Sequence, residues 1–220
     1  TVHFFTTRGG GAYTHGLGTA DIDGDGRTDV LVKEGWFKQP ESLEGDPEWE
    51  FQEVPFAPLR GGAQMLGMDA DDDGDCDVVT SLDAHGWGLV WHEQEREGDT
   101  ISFKMHTIMG DPDNGPKPDG LMFSQMHGLA LHDVNNDGLE DIVTGKRFWA
   151  HQGKDPDGHG TPLMIWFELQ RNADGVNWKP HMISSKTGIG CSVTGADLNA
   201  DGKVDFAVGN KKGATVLIQD

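Results

Sequence analysis

Two cysteines, a single tyrosine and 17 basic residues are the scarce ingredients of this 220-residue chain. Cys76 and Cys191 are too few to form a disulfide framework. No apolar run is long enough to span a bilayer, so no membrane insertion is expected. The 17 Lys and Arg face 37 Asp and Glu, giving a formal net charge of −20. That balance argues against nucleic acid and against anionic membrane as partners. Nothing in the sequence reads as a secretory leader, and the chain begins at Thr1, as a mature or excised product would. Glycine, by contrast, is abundant at 32 residues, while hydrophobic residues make up only 35%. This is the composition of short strands joined by many turns. The length suffices for one sizeable core, so a single domain over 1–220 is expected.

Aspartate organises the chain. The pattern D-x-[DN]-x-D-G-x-x-D recurs at 21–29, 69–77, 133–141 and 197–205. Positions 1, 3 and 5 are Asp21, Asp23 and Asp25, then Asp69, Asp71 and Asp73, then Asp133, Asn135 and Asp137, then Asp197, Asn199 and Asp201. A hard cation takes six to eight oxygens in flexible geometry, and side-chain oxygens at alternate positions converge when the backbone curls. The glycine at position 6 allows that curl. Position 7 (Arg27, Asp75, Leu139, Lys203) offers its carbonyl, so its side chain is free to vary. Position 9 closes the cage with Asp29, Asp77, Asp141 or Asp205. An EF-hand would need a bidentate Glu at position 12 and a following helix. Here position 12 is Val32, Thr80, Thr144 or Val208, inside a strand-like apolar run. Acidic turns can serve merely as soluble hairpins. Four copies would leave many unpaired carboxylates together, which is costly without a counter-ion. Up to four structural Ca2+ ions are therefore expected, offsetting eight of the twenty net negative charges.

The loops start 48, 64 and 64 residues apart, a period that suggests a propeller or a solenoid. Each repeat divides alike. An inner strand precedes the loop (15–20, 63–68, 127–132, 191–196) and a second strand follows it. A third carries Gly35-Trp36-Phe37, Leu89-Val90-Trp91-His92, Met164-Ile165-Trp166-Phe167 or Ala214-Thr215-Val216-Leu217. A fourth covers 49–54, 101–106 or 178–183, and the last repeat has none. The N-terminal segment 1–6 is the expected substitute, sealing the ring. The fold class is thus all-β: a β-propeller of four four-stranded blades closed by the N-terminal strand. Half of a seven- or eight-bladed ring is the alternative.

Six residues before each loop stand His15, Ala63, His127 and Cys191. If the repeats superpose, these share one level near the channel mouth. His15, His127 and Cys191 would suit a transition metal, although inner-strand histidines also serve simply as channel-wall packing. Tyr13 shares a strand face with His15, and a His and a Tyr beside a cation suit proton abstraction followed by elimination. Tyr13, His15, His85 and His127 are the catalytic candidates. The turns after the second strands carry Lys33, His85, Arg147 and Lys211, with Trp36 and Trp87 nearby, a rim that could bind a sugar or a carboxylate. His3, His106 and His181 recur on the outer strands and read as architectural. Two insertions, 110–120 and 151–160, are long enough to be functional or merely tolerated.

The loops with their flanking strands resemble FG-GAP/VCBS repeats, the blades of integrin-α-type propellers and of many secreted bacterial proteins. The resemblance covers essentially the whole chain. It implies a secreted, periplasmic or otherwise extracellular module that binds carbohydrate or an extracellular protein, its oligomeric state open. Gly35-Trp36-Phe37 and Trp91-His92-Glu93 also resemble third strands in the propeller of aldos-2-ulose dehydratase-type proteins. That likeness, and a fold-level one to propeller polysaccharide lyases, implies the alternative of a metal-assisted sugar lyase or dehydratase at the channel mouth. No cupin-like region accompanies it.

Overall fold

The structure is a computed structural model that describes residues 5–6, 15–57, 60–62 and 64–220. It is all-β, with four antiparallel sheets arranged about one axis as in a four-bladed propeller. Blade one is β1 (Leu17–Ala20), β2 (Asp29–Val32), β3 (Gly35–Lys38) and β4 (Glu50–Glu53). Blade two is β5 (Leu66–Met68), β6 (Asp77–Ser81), β7 (Leu89–Glu97) and β8 (Thr100–Met109). Blade three is β9 (Ala130–His132), β10 (Asp141–Lys146), β11 (Leu163–Asn172) and β12 (Gly175–Ser184). Blade four is β13 (Val193–Ala196), β14 (Asp205–Asn210) and β15 (Gly213–Leu217). Every pairing joins strands adjacent in sequence, so each blade is a meander.

The acidic loops connect the first and second strands of every blade, as expected. Position 6 is a left-handed glycine in all four, with φ of 85°, 89°, 91° and 85° at Gly26, Gly74, Gly138 and Gly202. Position 9 does more than the loop pattern implies. Asp29, Asp77, Asp141 and Asp205 are fully buried. One oxygen of each accepts the N–H of position 2 (Ile22, Ala70, Val134, Leu198) at 2.9–3.0 Å. The other accepts an N–H at the third strand or just after it (Gln39, Gln94, Leu169, Gln219) at 2.8–2.9 Å. One carboxylate therefore staples the loop to two strands of its own sheet.

Blades pack flank to flank. Ile22, Leu31, Trp36 and Phe56 of blade one meet Met65 and Val78 of blade two. Trp91 and Leu89 of blade two meet Phe123, Ile142 and Phe167 of blade three. Val143 and Met164 of blade three meet Ile189, Phe206 and Val208 of blade four. Among the described residues no such cluster joins blade four to blade one. Near the axis, Met65 N–H donates to the Leu17 carbonyl at 3.0 Å. A Cβ on Gly18 would lie 1.8 Å from the Met65 carbonyl oxygen, so only glycine permits that approach.

The outer strands repeat one unit. His106 stacks on Trp91 with centroids 4.5 Å apart and bonds Glu93 at 2.6 Å. His181 stacks on Trp166 at 4.4 Å and bonds Glu168 at 2.6 Å. These histidines are architectural; His3 lies outside the described residues. So does most of the expected closing strand over 1–6. Its described part sits on blade one: the Phe5 carbonyl accepts the Trp49 N–H at 2.9 Å, and the ring packs on Phe37 and Trp49. Blade four accordingly shows three strands among the described residues.

Asp141→Ala would strand the buried N–H groups of Val134 and Leu169. The expected cost is on the order of 2–6 kcal/mol, read as a lower urea midpoint; an unchanged midpoint would show that the staple carries no stability. His92, buried with Nε2 2.9 Å from the Phe56 carbonyl, is pulled down to about 4, first by burial. Its neutral form is favoured in the fold, so its contribution is intact above the ordinary histidine pKa of about 6.5 and is lost as pH falls towards 4. His92→Gln should flatten the stability profile across that window, measured by denaturant unfolding at several pH values.

Candidate metal centre at the propeller axis

Three imidazoles from three blades meet at the axis. His15 stands two residues before β1 and His127 three before β9, at the inner-strand entries where the repeat spacing places them. His85 comes from the turn after β6. Asp83 holds that turn by accepting the His85 N–H at 2.8 Å. Thr144 donates its hydroxyl to the Gly128 carbonyl at 2.8 Å, fixing the backbone beside His127. Gln125, buried and left-handed at φ 64°, turns the chain just ahead of it.

The ring centroids are 4.7 Å apart for His15 and His85, 4.8 Å for His15 and His127, and 5.2 Å for His85 and His127, all edge to face. One ring nitrogen from each lies within 4.8 Å of the others. The Nε2 atoms of His15 and His85 are 3.1 Å apart. Two ligands on a tetrahedral zinc, each bonded at about 2.05 Å, would be roughly 3.3 Å apart. Nδ1 of His15 and Nδ1 of His127 are buried without a protein partner. Burial, then the nearby Arg147 charge, pulls His127 down to about 4. Burial also lowers His85, against the opposing pull of Asp155. Both rings are therefore neutral at pH 7, with lone pairs to give.

The second insertion builds the outer layer. Asp155 lies 3.2 Å from His85 Nδ1 and 2.9 Å from His151 Nδ1. Burial opposes the Asp155 charge, but hydrogen bonds from His151 and His85 outweigh it and hold the carboxyl below its usual range. His151 stacks on His85 at 4.6 Å. Arg147 Nη2 is 3.0 Å from His85 Nδ1 and 3.4 Å from Asp155. A carboxylate on one imidazole nitrogen directs the other towards a metal. The segment that delivers His151 is strained: Trp149, His151 and Gln152 are left-handed, with φ of 47°, 47° and 60°. Such conformations persist where the surroundings over-determine them, often at functional sites. The insertion is pinned below by the Pro156 carbonyl, which accepts from Ser124 Oγ at 2.7 Å and Gln125 Nε2 at 2.9 Å. Buried Lys146 bonds Ser124 and reaches Asp157 at 3.2 Å.

Several expected site residues fall elsewhere. Cys191 occupies the matching entry of blade four, but the converging set is His15, His85 and His127. Its carbonyl accepts from Gln64 Nε2 at 3.1 Å, and its thiol lies beside Arg147. Tyr13 lies outside the described residues. Trp36 is 4% exposed, sealed between blades one and two, and cannot stack on a ligand. Trp149 is the exposed rim tryptophan, with Lys211 Nζ 5.3 Å from its ring centroid. Lys33 pairs with Glu34 at 2.7 Å, and its chain runs beside Gly16 and Gly61, next to His15. The first insertion folds on itself, through Gly110 N–H to the Pro116 carbonyl, away from the axis. His151 and Asp155 were legible only as members of the second insertion.

The acidic loops suit a cation independently. The ligand oxygens of Asp21, Asp23 and Asp29 lie within 4.8 Å of one another, as do those of Asp69, Asp71 and Asp73. Oδ1 of Asp71 and Oδ1 of Asp75 are buried without a partner. In all four loops the position 1 carboxylate accepts the position 6 N–H, so the curl is preformed. In blade one, Lys38 contacts Asp23 and Asp25. Both oxygens of each position 9 Asp already hold an N–H, leaving only second lone pairs for an ion.

A family model described as FG-GAP-like repeat matches residues 133–208, the span from the loop of blade three to the second strand of blade four. A search of curated proteins finds no match. Among the described residues no helix is long and apolar enough to cross a membrane.

Proposed function

We propose that this chain is an extracellular binding module, a propeller pinned by calcium at its acidic loops and carrying a transition metal, zinc by preference, at its axis. The observation that carries the reading is the convergence of His15, His85 and His127, with Nδ1 of His15 and Nδ1 of His127 buried without a partner. Calcium would be held by positions 1, 3 and 5, the position 7 carbonyl and the second lone pairs of position 9. The axial metal would act as a Lewis acid towards an oxygen-rich ligand. The chain's own residues supply the rest: Asp155 orients His85, and the Arg147 guanidinium, shared between His85 and Asp155, offers donors at the mouth. That chemistry fits a carbohydrate bearing carboxylate groups.

A second reading, metal-assisted elimination from a sugar, is favoured by the His151–Asp155 pair. His151 is 57% exposed at the side chain, and with Nδ1 bonded to Asp155 its Nε2 is free to take a proton. The two readings separate on turnover: a module binds and releases uronate-containing oligosaccharides unchanged, whereas a lyase leaves an unsaturated product absorbing in the ultraviolet.

Elemental analysis of protein purified without added metal is the direct test. About one zinc per chain, lost in His85→Ala while the fold survives, is expected; no transition metal in the wild type, even after incubation with zinc, would remove the axial centre. For calcium, burial first pushes Asp75, Asp77 and Asp141 up to about 6, with Asp73 adding to it at Asp75. In the metal-free protein the charged forms of these groups are penalised above about pH 6, and protons occupy them below it. The calcium-dependent rise in Tm should therefore be large at pH 7.5 and shrink towards pH 5, measured against a chelator control. A rise of equal size at both, or none at pH 7.5, would count against calcium in these loops.

A further inference from the structure

His85 has more neighbours than one imidazole can satisfy. Its Nε2 faces Nε2 of His15 at 3.1 Å. Its Nδ1 faces three groups: Arg147 Nη2 at 3.0 Å, Asp155 Oδ2 at 3.2 Å and His151 Nδ1 at 3.2 Å. A proton on Nδ1 suits Asp155 but points at an arginine N–H, a donor against a donor. A lone pair on Nδ1 suits Arg147 but faces a carboxylate oxygen. Neither tautomer satisfies every contact. The side chains of His85 and Asp155 are 8% and 9% exposed, so the unmet contact lies where it is costly.

The acceptors around that contact outline a second ligand set. His85 Nδ1, His151 Nδ1 and Asp155 Oδ2 form a triangle with edges of 3.2, 2.9 and 3.2 Å. The edge of a tetrahedral zinc site is roughly 3.3 Å. Two imidazoles and one carboxylate leave a position open on a first-row divalent ion, as in catalytic rather than structural sites. The opening lies on the solvent side, where the His151 side chain is 57% exposed. His151 stacks on His85 with ring planes 17° apart, so its ring must turn for the two lone pairs to converge, and its exposure leaves room for that turn.

We propose that His85, His151 and Asp155 form a second divalent transition-metal site, outside the axial one and joined to it through the His85 ring. The inference shares His85 with the axial centre proposed above and rests on that reading only for the joint. In the joined form His85 gives Nε2 to one ion and Nδ1 to the other, and its ring proton passes to solvent. The imidazolate and the Asp155 carboxylate then set two negative charges against the added dication. Arg147 gives up His85 and keeps Asp155, 3.4 Å away, whose oxygens have lone pairs for both partners. The guanidinium charge makes the outer site the weaker of the two. An occupied outer site also excludes His151 as the base of an elimination, because with Nδ1 on the ion the ring proton sits on Nε2.

The test is a cobalt(II) titration of the calcium-saturated protein, followed by visible absorption. Four-coordinate cobalt on imidazole absorbs strongly, whereas cobalt on the oxygens of an acidic loop absorbs weakly. Saturation at about two equivalents is expected for the wild type, and at about one for His151→Ala and for Asp155→Asn. His127→Ala should keep the outer equivalent. Thermal unfolding of each variant without cobalt checks that the fold survives. Saturation unchanged by both His151→Ala and Asp155→Asn would overturn the proposal; if it still falls in His127→Ala, the axial centre stands alone. A single equivalent lost in His151→Ala and Asp155→Asn but retained in His127→Ala would support the outer site and remove the axial one. No strong cobalt absorption in the wild type would overturn both.

Discussion

The buried carboxylate at position 9 is the constraint on which this architecture depends. A loop this short has few apolar side chains, and in blades one to three the one at position 2 packs towards the neighbouring blade rather than onto its own sheet. What keeps the loop against the sheet is one side chain accepting two backbone N–H groups, from the loop entry and from the third strand. Removing water from a carboxylate is expensive, and those two hydrogen bonds return only part of the cost. Asp77 and Asp141 are accordingly pushed up to about 6 by burial, despite their donors. A divalent cation beside such a group would change the sign of the local electrostatics. The staple sets the sheet geometry, and a cation bound beside it would make its charge easier to bear.

From the staple outward, the rest follows by packing. With the loop fixed, position 2 and the third-strand tryptophans face the neighbouring blade, and each joint becomes a dry apolar seam edged by an Arg or Gln on a carbonyl. The seams align the inner strands, which bring His15 and His127 to one level. His85 and the second insertion then complete a polar cluster inside a scaffold that is otherwise apolar at its joints. Fold and site are separable in this sense: the staples and seams use none of the axial side chains.

How much of this was legible in the sequence depends on whether a residue obeys the repeat. The loops, the strand succession and the entry positions of His15 and His127 were readable because spacing repeats and geometry follows spacing. His85 is a candidate beside His15 and His127 in the sequence, but its direct contact with His15 is not legible there, because its counterparts in the other blades are Lys33, Arg147 and Lys211. His151 and Asp155 sit in an insertion with no counterpart, so periodicity is silent about where they point. Trp36 was misread as a rim aromatic; it pairs with Leu31, on the strand face that turns into the joint. The second role of position 9 was hidden because its donors lie up to 28 residues away, outside the motif window. Of the expected closing strand over 1–6, Phe5 rests in the aromatic pocket of blade one, and residues 1–4 lie outside the described residues.

The three imidazoles come from blades one, two and three. Blade four contributes only a carbonyl to Gln64 and a thiol beside Arg147. The candidate ligands are thus carried by three of the four sheets, and the strands of blade four can be substituted without touching one of them.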